Sequence, residues 1–314
     1  MSWNAVGVTI LLNPYADPNG WFHTLSTLLP DEELVLWPDC PKPDAVEMLI
    51  AWRMKRSDLA TFTNLHTILS MGAGVDQWLR DGSPDVRLVR LADPAMADEM
   101  ASYALHWVVH FQRGFDVRFD SGQLDAWGAS SKPVARDYVV GILGFGQIGR
   151  RIGSLFNDLG YQVRAWSRSG VDDGWVDSFA GDDQLGNFLG GCDAVINVLP
   201  RTTDTIGLLT SERFAQFKAG ATFINIGRGN VVESEAALVA AIDSGQLGAA
   251  VLDVTDPEPP APDAAILQHP GIVVTPHISG PTQMMTAAAL IAENIERVRN
   301  GQDPFPLVDR QHGY

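Results

Sequence analysis

The sequence predicts an α/β fold of two doubly wound, parallel-sheet domains, and three observations carry that expectation. Strand-length apolar runs recur in two series, helical patterns separate them, and two long amphipathic helices bracket the second series. The 314 residues also exceed the usual single-domain size, which makes two domains of roughly 150 residues the expected division.

The first series comprises VGVTILL (6–12), LVLWP (34–38), AVEMLIAW (45–52), LHTILSM (65–71) and VRLVRLA (86–92). The second comprises YVVGILG (138–144), YQVRAW (161–166), DAVINVLP (193–200), ATFINIG (221–227), GAAVLDV (248–254) and IVVTPHI (272–278). Strands apolar on both faces and separated by helices indicate buried parallel sheets, one for each series. The first long helix begins at Asp93-Pro94, a cap followed by proline, and carries Met100, Tyr103, Ala104, Trp107, Val108 and Phe111 at helical spacing. The second runs from about 282 to 300, with Leu290, Ile291, Ile295 and Val298 on one face and Gly301 as its stop. These helices are expected to join the domains, so that 1–100 with 284–314 form one domain and 101–283 the other. The proline-rich DPEPPAPD (256–263) reads as a loop.

Composition narrows the class of function. At 46% hydrophobic and 19% charged, the chain can bury sizeable cores and does not read as disordered. A net charge of -16 argues against nucleic acid or an anionic membrane as partner. Any anionic ligand must then meet a few locally placed cations. Two cysteines, Cys40 and Cys192, suggest no disulfide framework and fit a reducing cytoplasm. The apolar run near the N-terminus has no cation before it, the first lysine being Lys42, so no secretory signal is expected. No stretch reaches the ~18 apolar residues that span a bilayer.

Gly144-Phe-Gly-Gln147-Ile148-Gly149 is a G-x-G-x-x-G directly after YVVGIL, opening a helix with Ile148, Ile152, Leu155, Phe156 and Leu159 as its apolar residues. Gly144 permits the tight turn, Gly146 lets a pyrophosphate approach the backbone, and Gly149 lets helix and strand pack closely. The helix N-terminus adds N–H groups for the phosphates. Residues 101–283 are therefore expected to be a Rossmann dinucleotide-binding domain. Sites that prefer NAD place an acid about 20 residues further on, at the end of the second strand. Here that stretch reads Trp166-Ser167-Arg168-Ser169, with no carboxylate to repel a 2′-phosphate and with an arginine and two hydroxyls to bind one. NADPH is the expected cofactor, preferred over NADH.

Three further residues follow strands of the same domain, where open α/β sheets bind ligands. Arg228 follows ATFINIG, Glu258 lies in the loop after GAAVLDV, and His277 follows IVVTP. Singly they read as a surface cation, one acid in a solvated loop and a satisfied histidine. Together they supply what carbonyl reduction requires. A hydride reaching a carbonyl carbon leaves an oxygen that needs a proton donor and a nearby positive charge. A carboxylate beside an imidazole favours its protonated form, and an arginine binds a carboxylate or polarises a carbonyl. A metal is the competing use of histidine. His106 and His110 stand four apart on one helix face, but Trp-Val-Val separates them, with no glutamate to act as base, and no C-x-x-C occurs. No metal is expected.

The motifs GAGVD (72–76), GFGQIG (144–149), INVLPRTTDTIGLL (196–209), INIGRGNVVE (224–233), LDVTDPEP (252–259) and TPHISG (275–280) stand in one order over essentially the whole chain. In this the sequence resembles the D-isomer-specific 2-hydroxyacid dehydrogenases. The resemblance implies a flavodoxin-like substrate (catalytic) domain beside the Rossmann domain. It implies Arg228 as the substrate-binding arginine, Glu258 as the acid orienting the histidine, and His277 as the acid/base. Backbone N–H groups of Ala73 and Gly74 would hold the substrate carboxylate, while Leu199, Pro200, Thr205, Ile226 and Asp253 would line the cofactor. The nearer likeness, through WSRS (166–169) and VDRQHGY (308–314), is to the NADPH-linked glyoxylate/hydroxypyruvate reductases, where Trp52 and Arg310 resemble residues of the substrate pocket. Two departures bear on pocket shape: TDPEP lacks the aromatic residue often found after the strand valine, and Gly227 stands where alanine is common.

The expected function is NADPH-dependent reduction of glyoxylate, hydroxypyruvate or a similar short 2-oxo acid, with His277 as proton donor. Within the family, a reductase of larger 2-oxo acids or a phosphoglycerate-type dehydrogenase is the alternative. Formate oxidation needs no proton donor and fits less well. From another class, a nucleotide-sensing scaffold shares the fold, but the full Arg–Glu–His set favours the enzyme. The resemblance implies a homodimer formed through the cofactor domain, with DVRFDSGQLDAW (116–127) as a candidate arm.

Overall fold

The computed structural model describes residues 9–79, 83–115 and 132–314, which divide into two compact units, Met1–Met96 with Thr282–Tyr314 and Ala97–Pro281. Along the chain come β1 (Thr9–Asn13), α1 (Pro18–Leu28), β2 (Glu33–Leu36), β3 (Val46–Ala51), α2 (Arg56–Leu59), β4 (Thr67–Ser70) and β5 (Arg87–Val89). Next are α3 (Pro94–Arg113), β6 (Val139–Leu143), α4 (Gln147–Asp158), β7 (Gln162–Ser167), β8 (Asp177–Ala180), α5 (Gly181–Gly190) and β9 (Ala194–Asn197). The series closes with α6 (Ser211–Phe214), β10 (Ala221–Asn225), α7 (Glu235–Asp243), β11 (Leu247–Leu252), α8 (Ala265–Gln268), β12 (Ile272–Val274) and α9 (Met284–Arg299).

In the first unit five parallel strands run in the order β2-β1-β3-β4-β5, the flavodoxin-type winding. Ile10, Leu11, Leu12, Met48, Leu49 and Ile50 are all fully buried, so both faces of the central strands are covered. That is why these runs show no polar alternation. Leu11, Leu49, Ile68, Trp78 and Leu88 share one core, and α1 packs against α9. The expected start at Asp93-Pro94 is realised: Asp93 Oδ1 accepts the Ala95 N–H at 2.9 Å as α3 begins.

The second unit holds seven parallel strands in the order β12-β11-β10-β9-β6-β7-β8. The chain turns from β6 outward to β8, then returns to β9 on the other side of β6. The switch point where open sheets take ligands thus lies at the ends of β6 and β9. Leu143, Phe188, Val195, Phe223, Leu238 and Ala250 belong to one core under this sheet. One strand departs from the sequence expectation. β8 (DSFA) is an edge strand, half exposed along its length, so it lacks the apolar run by which the others are recognised. The segment 116–127 considered as an arm lies outside the described residues. Both cysteines are free thiols. Among the described residues no helix is long and apolar enough to cross a membrane.

Candidate active site

The turn after β6 is built around its three glycines. Gly144 stands at φ 96, a region that disfavours side chains, and donates its N–H to the Trp166 carbonyl at 2.9 Å. A Cβ on Gly149 would lie 2.0 Å from the Gly144 carbonyl oxygen, so the helix approaches the turn at a distance only glycine allows. A Cβ on Gly146 would meet nothing within 4 Å. That side of the turn is open, and α4 begins there with Gln147, Ile148 and Gly149 and with no side-chain cap. Open space, an uncapped helix N-terminus and a close-packed third glycine fit a dinucleotide pyrophosphate.

At the end of β7, Ser167 is half-buried and donates its hydroxyl to the Gly170 carbonyl at 2.9 Å, while Arg168 and Ser169 are exposed. No carboxylate stands in residues 166–170. Asp173, in the following loop, is paired with Arg150.

The next two strand ends are tied together by a pair of buried amides that sequence reasoning missed. Asn197 Nδ2 donates to Asn225 Oδ1 at 2.8 Å, and the Leu199 N–H donates to Asn197 Oδ1 at 3.2 Å. Asn225 Oδ1 also accepts the Gly227 N–H at 3.2 Å, and Asn225 Nδ2 donates to the Arg228 carbonyl at 3.0 Å. Both side chains are fully buried. Together they fix the loops bearing Leu199 and Pro200 on one side and Ile226 and Arg228 on the other. Thr205 closes the first loop by donating to the Pro200 carbonyl at 2.6 Å. The available signal was an asparagine inside each apolar strand, since a buried amide must find partners.

Arg228, Glu258 and His277 follow three adjacent strands, β10, β11 and β12. Arg228 is half-buried and its Nη1 donates to the Gly227 carbonyl at 2.8 Å. A Cβ on Gly229 would lie 2.1 Å from the Thr255 carbonyl carbon, so the arginine loop rests directly on the loop leading to Glu258. Glu258 Oε1 stands 2.5 Å from His277 Nδ1, each side chain 42% exposed. His277 itself adopts φ 53, a strained backbone for a residue with a side chain.

Asp253 lies beneath that histidine, 2% exposed. Its Oδ1 accepts the Thr275 hydroxyl at 2.6 Å and the Ile278 N–H at 2.8 Å; its Oδ2 accepts the Ser279 N–H at 2.8 Å. The His277 N–H donates to the Asp253 carbonyl at 3.0 Å. Tyr103, from α3, meets the Thr275 hydroxyl at 2.6 Å.

Trp52, Ala73, Gly74 and Arg310 belong to the first unit, His106 and His110 to the second. A Cβ on Gly72 would lie 2.3 Å from Trp52 Cζ3, so the Trp52 indole covers the residue just before Ala73 and Gly74. Gln77, absent from the sequence reading, donates to the Trp52 carbonyl at 2.9 Å and to the Gly74 carbonyl at 3.4 Å, linking the two segments. Arg310 Nη2 donates to the carbonyls of Pro84 and Val86 at 2.9 and 2.8 Å. His106 and His110 sit with ring centroids 5.9 Å apart among Trp107 and Phe111. Among the described residues no group of three His, Cys, Asp or Glu side chains is placed to hold a metal.

Comparison with known proteins places this geometry among relatives. Residues 107–279 match the NAD-binding domain of D-isomer-specific 2-hydroxyacid dehydrogenases. A glyoxylate/hydroxypyruvate reductase A of Serratia proteamaculans is 35% identical, over 97% of this chain and 99% of the relative. A D-isomer-specific 2-hydroxyacid dehydrogenase of Xanthobacter autotrophicus, solved with NADPH and MES, superposes with a TM-score of 0.90 at 33% identity, covering 99% of this chain and all of that one. An NADPH-dependent glyoxylate/hydroxypyruvate reductase of Sinorhizobium meliloti, solved with NADP and sulfate, gives 0.87 at 27% identity, covering 98% and 99%.

Proposed function

From the premise that the chain belongs to the D-isomer-specific 2-hydroxyacid dehydrogenase family, we propose that this oxidoreductase is an NADPH-dependent reductase of short 2-oxo acids such as glyoxylate and hydroxypyruvate. The observation that carries the reading is the 2.5 Å pairing of His277 Nδ1 with Glu258 Oε1, one strand away from the loop of Arg228. The names of the relatives, a glyoxylate/hydroxypyruvate reductase and NADPH-bound dehydrogenases, support the substrate and cofactor classes.

The turn Gly144–Gly149 and the N–H groups opening α4 would hold the pyrophosphate, and Ser167, Arg168 and Ser169 the 2′-phosphate. Leu199, Pro200, Thr205, Ile226 and Asp253 would line the rest of the cofactor. When bound, the reduced nicotinamide supplies the hydride. Glu258 engages Nδ1 of His277, which leaves Nε2 to carry the transferable proton. His277 gives that proton to the substrate's carbonyl oxygen as it becomes the hydroxyl, and Glu258 holds the ring in the orientation for transfer. Arg228 binds the substrate carboxylate or polarises the carbonyl, supplying positive charge that the chain as a whole, at net -16, lacks. In the first unit, Ala73 and Gly74 would offer backbone N–H groups to a substrate carboxylate, with Trp52 and Arg310 as further substrate-binding residues.

The protein works as a cytoplasmic homodimer on a small-molecule substrate, with neither nucleic acid nor membrane as partner. Its charge and its two free thiols support this, as do the half-exposed Trp107 and Phe111, stacked 6.1 Å apart along α3. The test is NADPH consumption followed by absorbance across a panel of 2-oxo acids. Turnover is expected with glyoxylate and hydroxypyruvate. Cofactor binding without turnover of any 2-oxo acid would assign the chain to nucleotide sensing instead.

A further inference from the structure

We propose that Tyr103 is a positioning residue for His277, acting through the hydroxyl of Thr275 and the carboxylate of Asp253. The proposal rests on His277 being the proton donor, as read above, and adds a residue from a distant helix to its support.

The direction of the hydrogen bonds follows from their chemistry. Asp253 Oδ1 can only accept from the Thr275 hydroxyl, 2.6 Å away, so the single Thr275 proton is committed there. The contact of 2.6 Å between Tyr103 and Thr275 must then be donated by the tyrosine. Burial pushes the Tyr103 hydroxyl above its ordinary range, which keeps it a donor. The result is a directed chain from Tyr103 to Thr275 to Asp253.

The far end of that chain is where positioning is needed. His277 holds a left-handed backbone at φ 53, a conformation that persists in a residue with a side chain only when its neighbours over-determine it. Asp253 supplies that restraint on both sides of the histidine. It takes the Thr275 hydroxyl before it and the Ile278 and Ser279 N–H groups after it, while its carbonyl takes the N–H of His277 itself. Two oxygens of one carboxylate must satisfy three donors at once, so its rotation is decisive. Among the described residues the side-chain hydroxyl on Asp253 is that of Thr275, and Tyr103 orients it. Among the described residues Oδ2 accepts one donor and Oδ1 two, so this role is compatible with Asp253 also bordering the cofactor.

The experiment compares Tyr103→Phe, Thr275→Val and Thr275→Ser in the full-length protein. It measures kcat and KM with glyoxylate and NADPH, the cofactor dissociation constant, and amide hydrogen exchange over residues 275–281. Tyr103→Phe is expected to lower kcat about threefold to tenfold, the effect of one lost hydrogen bond. KM for NADPH should stay constant, and exchange at Ile278 and Ser279 should quicken. Thr275→Val should lower kcat by roughly tenfold or more by removing the link outright, and Thr275→Ser should recover most of that loss. In a His277→Ala background, Tyr103→Phe should change the residual rate no further. Unchanged kcat in both Tyr103→Phe and Thr275→Val overturns the proposal, as does a Tyr103→Phe loss that persists in full without His277. If His277→Ala alone keeps native turnover, the proton-donor reading fails instead, and the exchange data still report whether the restraint exists.

Discussion

His277 presents Nδ1 to Glu258 Oε1 at 2.5 Å across 19 residues of chain, while its own backbone stands at φ 53. The pairing engages Nδ1 and leaves Nε2 as the ring nitrogen for the proton transfer proposed above. Glu258→Gln keeps the shape but removes the carboxylate that accepts from Nδ1 and orients the ring. Turnover of glyoxylate should fall by about 10²-fold, with NADPH affinity within twofold or so of native. Steady-state kinetics together with cofactor titration check both halves.

Arg168 is the exposed cation at the end of β7, and no acid stands beside it in residues 166–170. Arg168→Asp should raise KM for NADPH at least about tenfold and leave KM for NADH nearly unchanged or improved, the signature of a lost phosphate contact. Parallel titrations with the two cofactors read the difference. Equal effects on both would remove Arg168 from the 2′-phosphate site.

Gly146 and Gly149, two of the three glycines of the turn after β6, should respond oppositely to the same methyl group. Gly149→Ala would press a Cβ to 2.0 Å from the Gly144 carbonyl oxygen, so the second unit should lose about 1–3 kcal/mol of stability. Gly146→Ala meets nothing within 4 Å and should fold normally, yet it fills the side where the pyrophosphate approaches. Thermal denaturation and NADPH binding separate the two: the first variant loses Tm, the second loses affinity.

Cys192 is fully buried, and that burial pushes its thiol up to about 12, with Asp193 adding to the effect and Arg164 opposing it. The thiolate is the reactive form, so burial keeps the group inert at ordinary pH. Cys40, half-exposed, is raised as well, mainly by burial. A thiol-reactive disulfide reagent at pH 8 should label Cys40 first, and Cys192 only after denaturation. Prompt labelling of both in the native protein would contradict the packing of α5 against the sheet.

The sequence made legible whatever is written locally. The glycine spacing after YVVGIL marked the tight turn that opens α4, and continuous apolar runs marked strands buried on both faces, such as β3 and β10. β8 escaped because an edge strand of two exposed and two half-buried residues has no such run. The Asn197–Asn225 pair joins residues 28 apart on neighbouring strands, and nothing in either run says which strand lies beside it. Tyr103 and Thr275, 172 residues apart, were further out of reach, since only the fold brings α3 to the end of β12. Asp253 was singled out as a cofactor neighbour; its grip on residues 275–279 is a matter of backbone N–H directions that side-chain identity does not encode.

The central claim is that His277 donates the proton in reduction of a short 2-oxo acid. The direct measurement is kcat of His277→Ala with glyoxylate and saturating NADPH, alongside the NADPH dissociation constant of the same variant. A loss of about 10²-fold or more in kcat, with the dissociation constant nearly unchanged, is the predicted result. A variant that turns over at the native rate while binding NADPH normally would contradict the account.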